Sequence, residues 1–100
     1  MGTAGSAYMD FRRALEKKNL MLIESAAKEL PQLSLEDSLA VLLVMAEKGD
    51  GRYHWAAAKW AGRAISELQL GMEDSHRVLA LVDVMATSPH AVVGHLRAYL

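Results

Sequence analysis

The chain has 100 residues, a formal net charge of −1 and no cysteine. Hydrophobic residues make up 52% of it and aromatic residues 6%, so an aliphatic core can form in one domain without disulfides or metal. The lack of cysteine excludes disulfide frameworks, thiolate metal sites and cysteine nucleophiles, and the charge gives no argument for nucleic acid or an anionic membrane as partner.

Neither a membrane span nor a targeting segment is visible in the sequence. The longest uninterrupted apolar stretch covers residues 39–46, far short of the roughly 20 residues that span a bilayer. Residues 1–6 have neither the basic start nor the apolar run of a signal peptide, and we expect a flexible N-terminal arm there. We therefore expect a soluble, cytoplasmic protein without membrane contact, which the missing cysteines also suit.

Apolar residues recur at spacings of three and four along six segments, and this spacing predicts six helices. The predicted ranges are 7–18, 20–30, 35–48, 52–68, 72–87 and 89–100. The expected core-facing residues are, in chain order, Tyr8, Phe11, Leu15, Leu20, Ile23, Ala27, Leu30, Leu35, Leu39, Leu42, Leu43, Ala46, Tyr53, Ala57, Trp60, Ala64, Leu68, Val78, Leu79, Val82, Met85, Val92 or Val93, Leu96 and Tyr99. No segment alternates apolar and polar residues for long, so we expect no strand.

Local signals mark the boundaries of the third helix most clearly. Ser34 is a favourable N-cap residue, and Glu36 and Asp37 follow in the first turn, where the helix dipole favours anions. The run Gly49-Asp50-Gly51 breaks the helix. Because this helix is apolar nearly all round, we expect it to be the most buried of the six. Pro31 is expected to stop the second helix.

The predicted fold is all-α, with five to six antiparallel helices arranged as αα-hairpins in a helical-repeat-like array or an orthogonal bundle. Residues 7–100 would form this single domain. The tetrapeptide at 35–38, LEDS, recurs 37 residues later as MEDS. This match predicts an internal duplication of residues 20–48 and 52–87, a period within the range of helical repeats. Chance similarity between amphipathic helices with acidic first turns is the alternative.

Motifs that carry catalysis or cofactor chemistry are missing from the sequence. It contains no His-Glu-x-x-His motif, no Gly-x-Ser-x-Gly elbow and no phosphate-binding loop, and its paired acids at helix starts are explained by capping. The four histidines are expected on the surface: His54, His76, His90 and His95. We therefore predict no catalytic residue, no metal site and no cofactor.

The fourth predicted helix carries a surface that is a candidate binding site. Arg52, Trp55, Lys59 and Arg63 recur at spacings of three and four, which places them along one helix face. Tryptophan and arginine are favoured anchors of protein interfaces, and the same pair can stack on and neutralise single-stranded nucleic acid. The alternative is that Trp55 packs against the first or sixth helix and the cations form a solvated rim.

Residues 26–39, AAKELPQLSLEDSL, resemble a stretch found in small helical proteins of actinobacterial genomes. Residues 56–60, AAAKW, and the Ser88-Pro89 start of the last helix are similar to the same group. The resemblance covers residues 11–100. It implies a cytosolic helical protein without an assigned activity, and it transfers no functional residue to this chain.

Three functions are compatible with these patterns. The first is a non-catalytic helical module, an adaptor or regulatory protein that binds a protein partner. The second is a nucleic-acid-associated regulatory protein that uses the basic face of the fourth helix. The third is a small all-α enzyme with an unrecognised pocket. Homo-oligomerisation is also predicted as an option, because the apolar residues of the third and fifth helices exceed what one small core hides.

Overall fold

The structure is a computed structural model that describes residues 4–100. These residues form six helices and no strand, which confirms the predicted all-α fold. The helices are α1 (Ala4–Lys17), α2 (Leu20–Ala27), α3 (Leu35–Lys48), α4 (Tyr53–Glu67), α5 (Met72–Met85) and α6 (Pro89–Arg97).

The bounds of α3 agree with the prediction because its caps are local. The Ser34 hydroxyl accepts a hydrogen bond from the backbone N–H of Asp37 at 3.0 Å. Gly49 ends the helix in the left-handed conformation at φ 63°, and its own N–H bonds back to the carbonyl of Ala46. Glycine reaches this conformation without steric cost.

Two other helices differ from their predicted bounds. α1 begins at Ala4, so part of the predicted arm at 1–6 is helical, and the rest of that prediction lies outside the described residues. α2 ends at Ala27, three residues before the predicted end. Beyond it, the N–H of Leu30 bonds to the carbonyl three residues back, in a turn tighter than an α-helix. The residue before Pro31 is also biased away from helical dihedrals.

The last four helices form a closed bundle. Each of α3, α4, α5 and α6 contacts the next, and α6 returns to contact α3. In a helical-repeat array each unit contacts only its neighbours. The contact between α3 and α6 therefore identifies the bundle, rather than the repeat array, as the correct one of the two predicted arrangements. α1 and α2 pack against each other and onto the outside of α3.

Two hydrophobic clusters fill this arrangement. The larger one lies inside the bundle of α3 to α6, and the smaller one joins α1, α2 and α3 around Phe11, Ala14, Ile23 and Val44. The half-buried side chain of Val41 packs against both clusters, so they are continuous. α3 has seven buried residues, more than any other helix, which confirms that it is the most buried.

Most of the predicted core residues are buried or half-buried. The prediction for Tyr8 is wrong, since its side chain is 39% exposed on α1, and Leu79 is the clearer error. It is 45% exposed, whereas Val78, Val82 and Met85 of the same helix are buried. The reason is geometric: the extensive contacts of α5 are with α4 and α6, so a narrow stripe of residues at spacings of four and three is buried against these two helices. Leu79 directly follows Val78, and the rotation of about 100° per residue turns its side chain away from that stripe.

Two buried hydrogen bonds connect α4 to its neighbours. The Tyr53 hydroxyl donates to the carbonyl of Val82 on α5 at 2.6 Å, and the Trp60 indole N–H donates to the carbonyl of Leu35 on α3 at 2.9 Å. Burial and, second, the charge of Asp83 raise the pKa of Tyr53 to about 12, so it stays a donor across the physiological range.

Glu47 connects the N-terminal helices to the bundle. Its side chain on α3 is 15% exposed and accepts a hydrogen bond from the Lys18 ammonium at 3.2 Å. The imidazole of His90, at the start of α6, contacts the same carboxylate oxygen. One acid therefore links the end of α1, the end of α3 and the start of α6.

The predicted duplication agrees with two features of the structure. α3 and α5 each have 14 residues, and their first residues, Leu35 and Met72, are 37 positions apart. In each first turn a matched aspartate accepts a hydrogen bond from a tyrosine hydroxyl near a chain end: Asp37 from Tyr8 and Asp74 from Tyr99. Common origin of the two stretches stays a prediction.

The surface of α5 is more apolar than that of the other bundle helices. Met72, Leu79 and Val84 are exposed on it, whereas the apolar residues of α3 are all buried or half-buried. The argument for homo-oligomerisation thus rests on α5 alone, and the oligomer stays a prediction. Within residues 4–100, no helix has the length and apolar character needed to cross a membrane.

We expect Tyr53→Phe to lower the free energy of unfolding by about 1–2 kcal/mol, because it removes a buried hydrogen bond without changing the ring. Urea denaturation followed by circular dichroism measures this change. Tyr8→Phe is the matched control, since the Tyr8 side chain is exposed; it should cost clearly less than Tyr53→Phe. Equal losses in the two variants would contradict the assigned role of Tyr53.

We expect Glu47→Gln to destabilise the protein by about 0.5–1 kcal/mol near neutral pH and much less in acid. Burial alone would raise the pKa of Glu47, but hydrogen bonds from Lys18 and His90 and their charges outweigh it and hold that pKa below its ordinary value. A lowered folded-state pKa gives stability that is present above the unfolded-state value and lost as the pH falls through the folded-state value. Urea denaturation of wild type and Glu47→Gln from neutral to acidic pH measures the difference in their free energies of unfolding. A difference that grows in acid would contradict the role of Glu47.

Candidate functional site

A groove of about 360 Å³ lies between α3 and α4, beside the loop that joins α2 to α3. Its floor is α3, which contributes the side chains of Ser38, Val41, Leu42 and Met45. One wall is α4, and the loop between α2 and α3 closes one end with Gln32 and Leu33. The size is at the lower end of typical ligand pockets, which cover about 300–1,000 Å³.

Trp55 forms the lip of this groove on α4. Its side chain is 69% exposed, so the alternative that it packs against α1 or α6 is wrong. The Lys59 ammonium, one turn further along α4, lies 4.6 Å from the centroid of the Trp55 ring in a cation–π contact. The indole and the cation thus form one unit, with an apolar face beside a positive charge.

Trp60 has the opposite role although it lies only five residues further along the same helix. It is buried, and its bond to the Leu35 carbonyl fixes α4 against α3 beneath the groove. Five positions correspond to roughly 140° of rotation beyond a full turn, so the two indoles point to different sides of α4. One tryptophan therefore builds the wall and the other is presented to solvent.

Arg63 lines the far end of the groove and is held in place. Its Nε donates to the Glu67 carboxylate at 2.7 Å, an i,i+4 ion pair on α4. A terminal nitrogen donates to the Ser38 hydroxyl on α3 at 3.4 Å. Arg63 therefore bridges the two helices that form the groove, and part of its charge is already compensated.

Arg52 does not line the groove, in contrast to its predicted neighbours. Its guanidinium contacts Glu24 of α2 at 2.6 Å and Asp50 at 2.9 Å. Hydrogen bonds from the Arg52 side chain and backbone lower the pKa of Asp50 to about 2, and the two acids raise the pKa of Arg52 further above its ordinary value. The structure thus brings together Trp55, Lys59 and Arg63 of the predicted face, and assigns Arg52 to an ion-pair cluster between α4 and α2.

Sequence reasoning missed the floor of the site. Val41, Leu42 and Met45 were visible only as part of a helix that is apolar nearly all round, and such a pattern indicates burial. In the structure, the apolar residues at one edge of α3 line the groove. Leu33, in the loop after the early end of α2, carried no signal that could place it beside α4.

A second cavity, of about 630 Å³, lies between α1, α3 and the end of α6. Charged side chains of both signs line it, and two of them already form an ion pair: Arg12 and Asp37, at 3.2 Å. Tyr8 donates a hydrogen bond to the same aspartate, and this contact and partial burial raise the pKa of Tyr8. These groups hold α1 on α3, so the cavity is explained by helix packing.

The four histidines, His54, His76, His90 and His95, are exposed as predicted. In the described part of the chain, no three His, Asp or Glu side chains are gathered so that they could hold a metal ion.

Comparison with protein-family models, with curated proteins and with solved structures found no match. The resemblance to small actinobacterial helical proteins therefore stays a prediction.

We expect Trp55 to dominate the accessible fluorescence of the protein. Acrylamide should quench the wild-type emission strongly, because Trp55 is exposed. In Trp55→Phe the remaining signal comes from buried Trp60, so it should shift to shorter wavelength and lose most of its acrylamide sensitivity. Unchanged quenching in the variant would contradict the placement of the two indoles.

Proposed function

We propose that this chain is a non-catalytic interaction module that binds a segment of another protein in the groove between α3 and α4. The single observation that carries the proposal is Trp55, a large apolar side chain presented to solvent at the lip of an apolar groove. Exposed apolar surface beside a groove is typical of protein-binding sites, and tryptophan is enriched among the residues that contribute most to binding.

The groove is well suited to a protein partner because its walls are already fixed. Trp60 and Arg63 each bond across from α4 to α3, so the α4 wall and the α3 floor hold their separation without a ligand. A preformed site spends little of its binding free energy on ordering itself. The floor, formed mostly by aliphatic side chains, offers burial to the apolar side chains of a partner.

The charges favour protein over nucleic acid. Nucleic-acid affinity depends on cations that are free to neutralise phosphates. Of the three cations on the predicted face, Arg52 pairs with two carboxylates and Arg63 with one, which leaves Lys59 without an ion pair in residues 4–100. A net charge of −1 gives no further attraction. These observations support the protein partner over the nucleic-acid alternative.

The polar groups of the groove support a non-catalytic role. They are Gln32, Ser38, Lys59 and Arg63, and the Ser38 hydroxyl has no histidine or carboxylate beside it among the residues that line the groove. A serine nucleophile needs an adjacent base, and acid–base chemistry needs a positioned proton acceptor. We place this module in the cytoplasm and without a cofactor, as the sequence suggests.

Selection of peptides displayed on phage tests the proposal directly. Peptides selected on the wild-type protein should lose about thirtyfold in affinity towards Trp55→Ala, which corresponds to the roughly 2 kcal/mol of an interface hot spot. Met72→Ala is the matched control, because Met72 is 78% exposed on α5, away from the groove. It should leave the affinity unchanged.

Direct contact with the groove has a second readout. On binding, the emission of Trp55 should move to shorter wavelength as the partner covers it. Circular dichroism must show that Trp55→Ala is folded, which its exposed position favours. Binders that ignore Trp55→Ala, or that respond equally to Met72→Ala, would overturn the proposed site.

A further inference from the structure

The charges that line the groove are all of one sign. Lys59 and Arg63 are its only ionised lining residues, and no aspartate or glutamate lines it. The other four cavities described on this surface each include at least one acid: Asp37, Asp74, Asp10 and Asp83 are examples, one from each. The groove is therefore a local site of positive charge on a chain whose net charge is −1.

The two cations have defined positions along one edge. They are four residues apart on α4, so they lie on the same side of the helix and about 6 Å apart along its axis. Lys59 is held over the Trp55 ring and Arg63 is held by Glu67 and Ser38. A partner group that pairs with Lys59 is thereby placed next to the apolar face of Trp55.

The groove offers few hydrogen-bonding groups to the backbone of a partner. Apart from the two cations, the hydrogen-bonding side chains that line the groove in the described part of the chain are Gln32, Ser38 and the indole N–H groups of Trp55 and Trp60, of which Trp60 is already bonded. Residues 4–100 contain no strand edge that could pair with an extended peptide. An extended segment would bury backbone N–H and C=O groups without partners. A helix satisfies these groups internally and presents only side chains.

We infer that the occupant of the groove is an amphipathic helix whose apolar stripe is bordered by acidic side chains, and this inference rests on the proposed function above. Its apolar residues, one turn apart, pack on Val41, Met45 and the Trp55 ring. One acid on the border of that stripe pairs with Lys59, and a second, one turn along, adds to the pairing of Arg63, whose charge is already compensated in part by an ion pair on α4. Because Lys59 makes no ion pair in the described chain, it gains a partner without losing one.

The test is a displayed library of helical peptides with a fixed leucine stripe and border positions that vary among Glu, Gln and Lys. Selection on the wild-type protein should enrich Glu at the border. Selection on Lys59→Glu should shift the preference to Lys. The best acidic peptide should bind Lys59→Glu about tenfold more weakly than wild type at low salt, since like charges then face each other. Lys48→Glu, an exposed lysine outside the groove, should change the affinity by less than about twofold.

The outcomes separate this inference from the proposed function. Peptides that depend on Trp55 but show no preference for acids would overturn the acidic partner and leave the groove as a binding site. If no selected peptide depends on Trp55, both are overturned. A single-stranded oligonucleotide of mixed sequence is measured in parallel. Binding of this oligonucleotide that depends on Trp55 and Lys59 and falls steeply with salt would replace the helix by nucleic acid.

Discussion

The packing of α4 between α3 and α5 is the constraint on which the structure depends. Ala57, Ala61 and Ala64 are buried along one stripe of α4, and their small side chains let α3 and α5 pack near the helix axis. Tyr53 and Trp60 lie on the same stripe and add a hydrogen bond to each neighbour. With one side of α4 committed in this way, the opposite edge is free to carry Trp55 and Lys59.

Local sequence signals predicted much of this fold, and tertiary contacts decided the rest. Ser34 and Gly49 predict the two ends of α3, and both residues cap the helix in the structure. By contrast, the turns that follow α1 and α4 contain Lys18 and Gln69, which adopt left-handed dihedrals at φ 53° and 52° although neither is glycine. The preferences of lysine and glutamine do not predict a left-handed residue after a helix. Beyond the early end of α2, Leu30 and Leu33 pack against the smaller cluster, a contact that no periodicity predicts.

The part of the candidate site that lies on α4 could be predicted from the sequence. Spacing placed Trp55, Lys59 and Arg63 on one side of α4, and the structure keeps them together. Spacing could not separate Arg52 from them, because its position depends on Glu24, a residue of another helix 28 positions away. The floor of the groove needed the same kind of knowledge. A single helix shows which residues share a face, but the neighbouring helices decide which part of that face stays open.

The bonds that join α4 to α3 also have a kinetic consequence. Because Trp60 and Arg63 join the α4 wall to the α3 floor, a ligand of the proposed site would meet the groove already in its final shape, with no slow opening step before contact. Association should then proceed in one phase, with a rate constant of about 10⁵–10⁷ M⁻¹s⁻¹, as in ordinary protein docking. This rate constant should rise as salt is removed. Differences between ligands would appear in how long each stays bound, so residence time is the quantity through which this surface would discriminate among them.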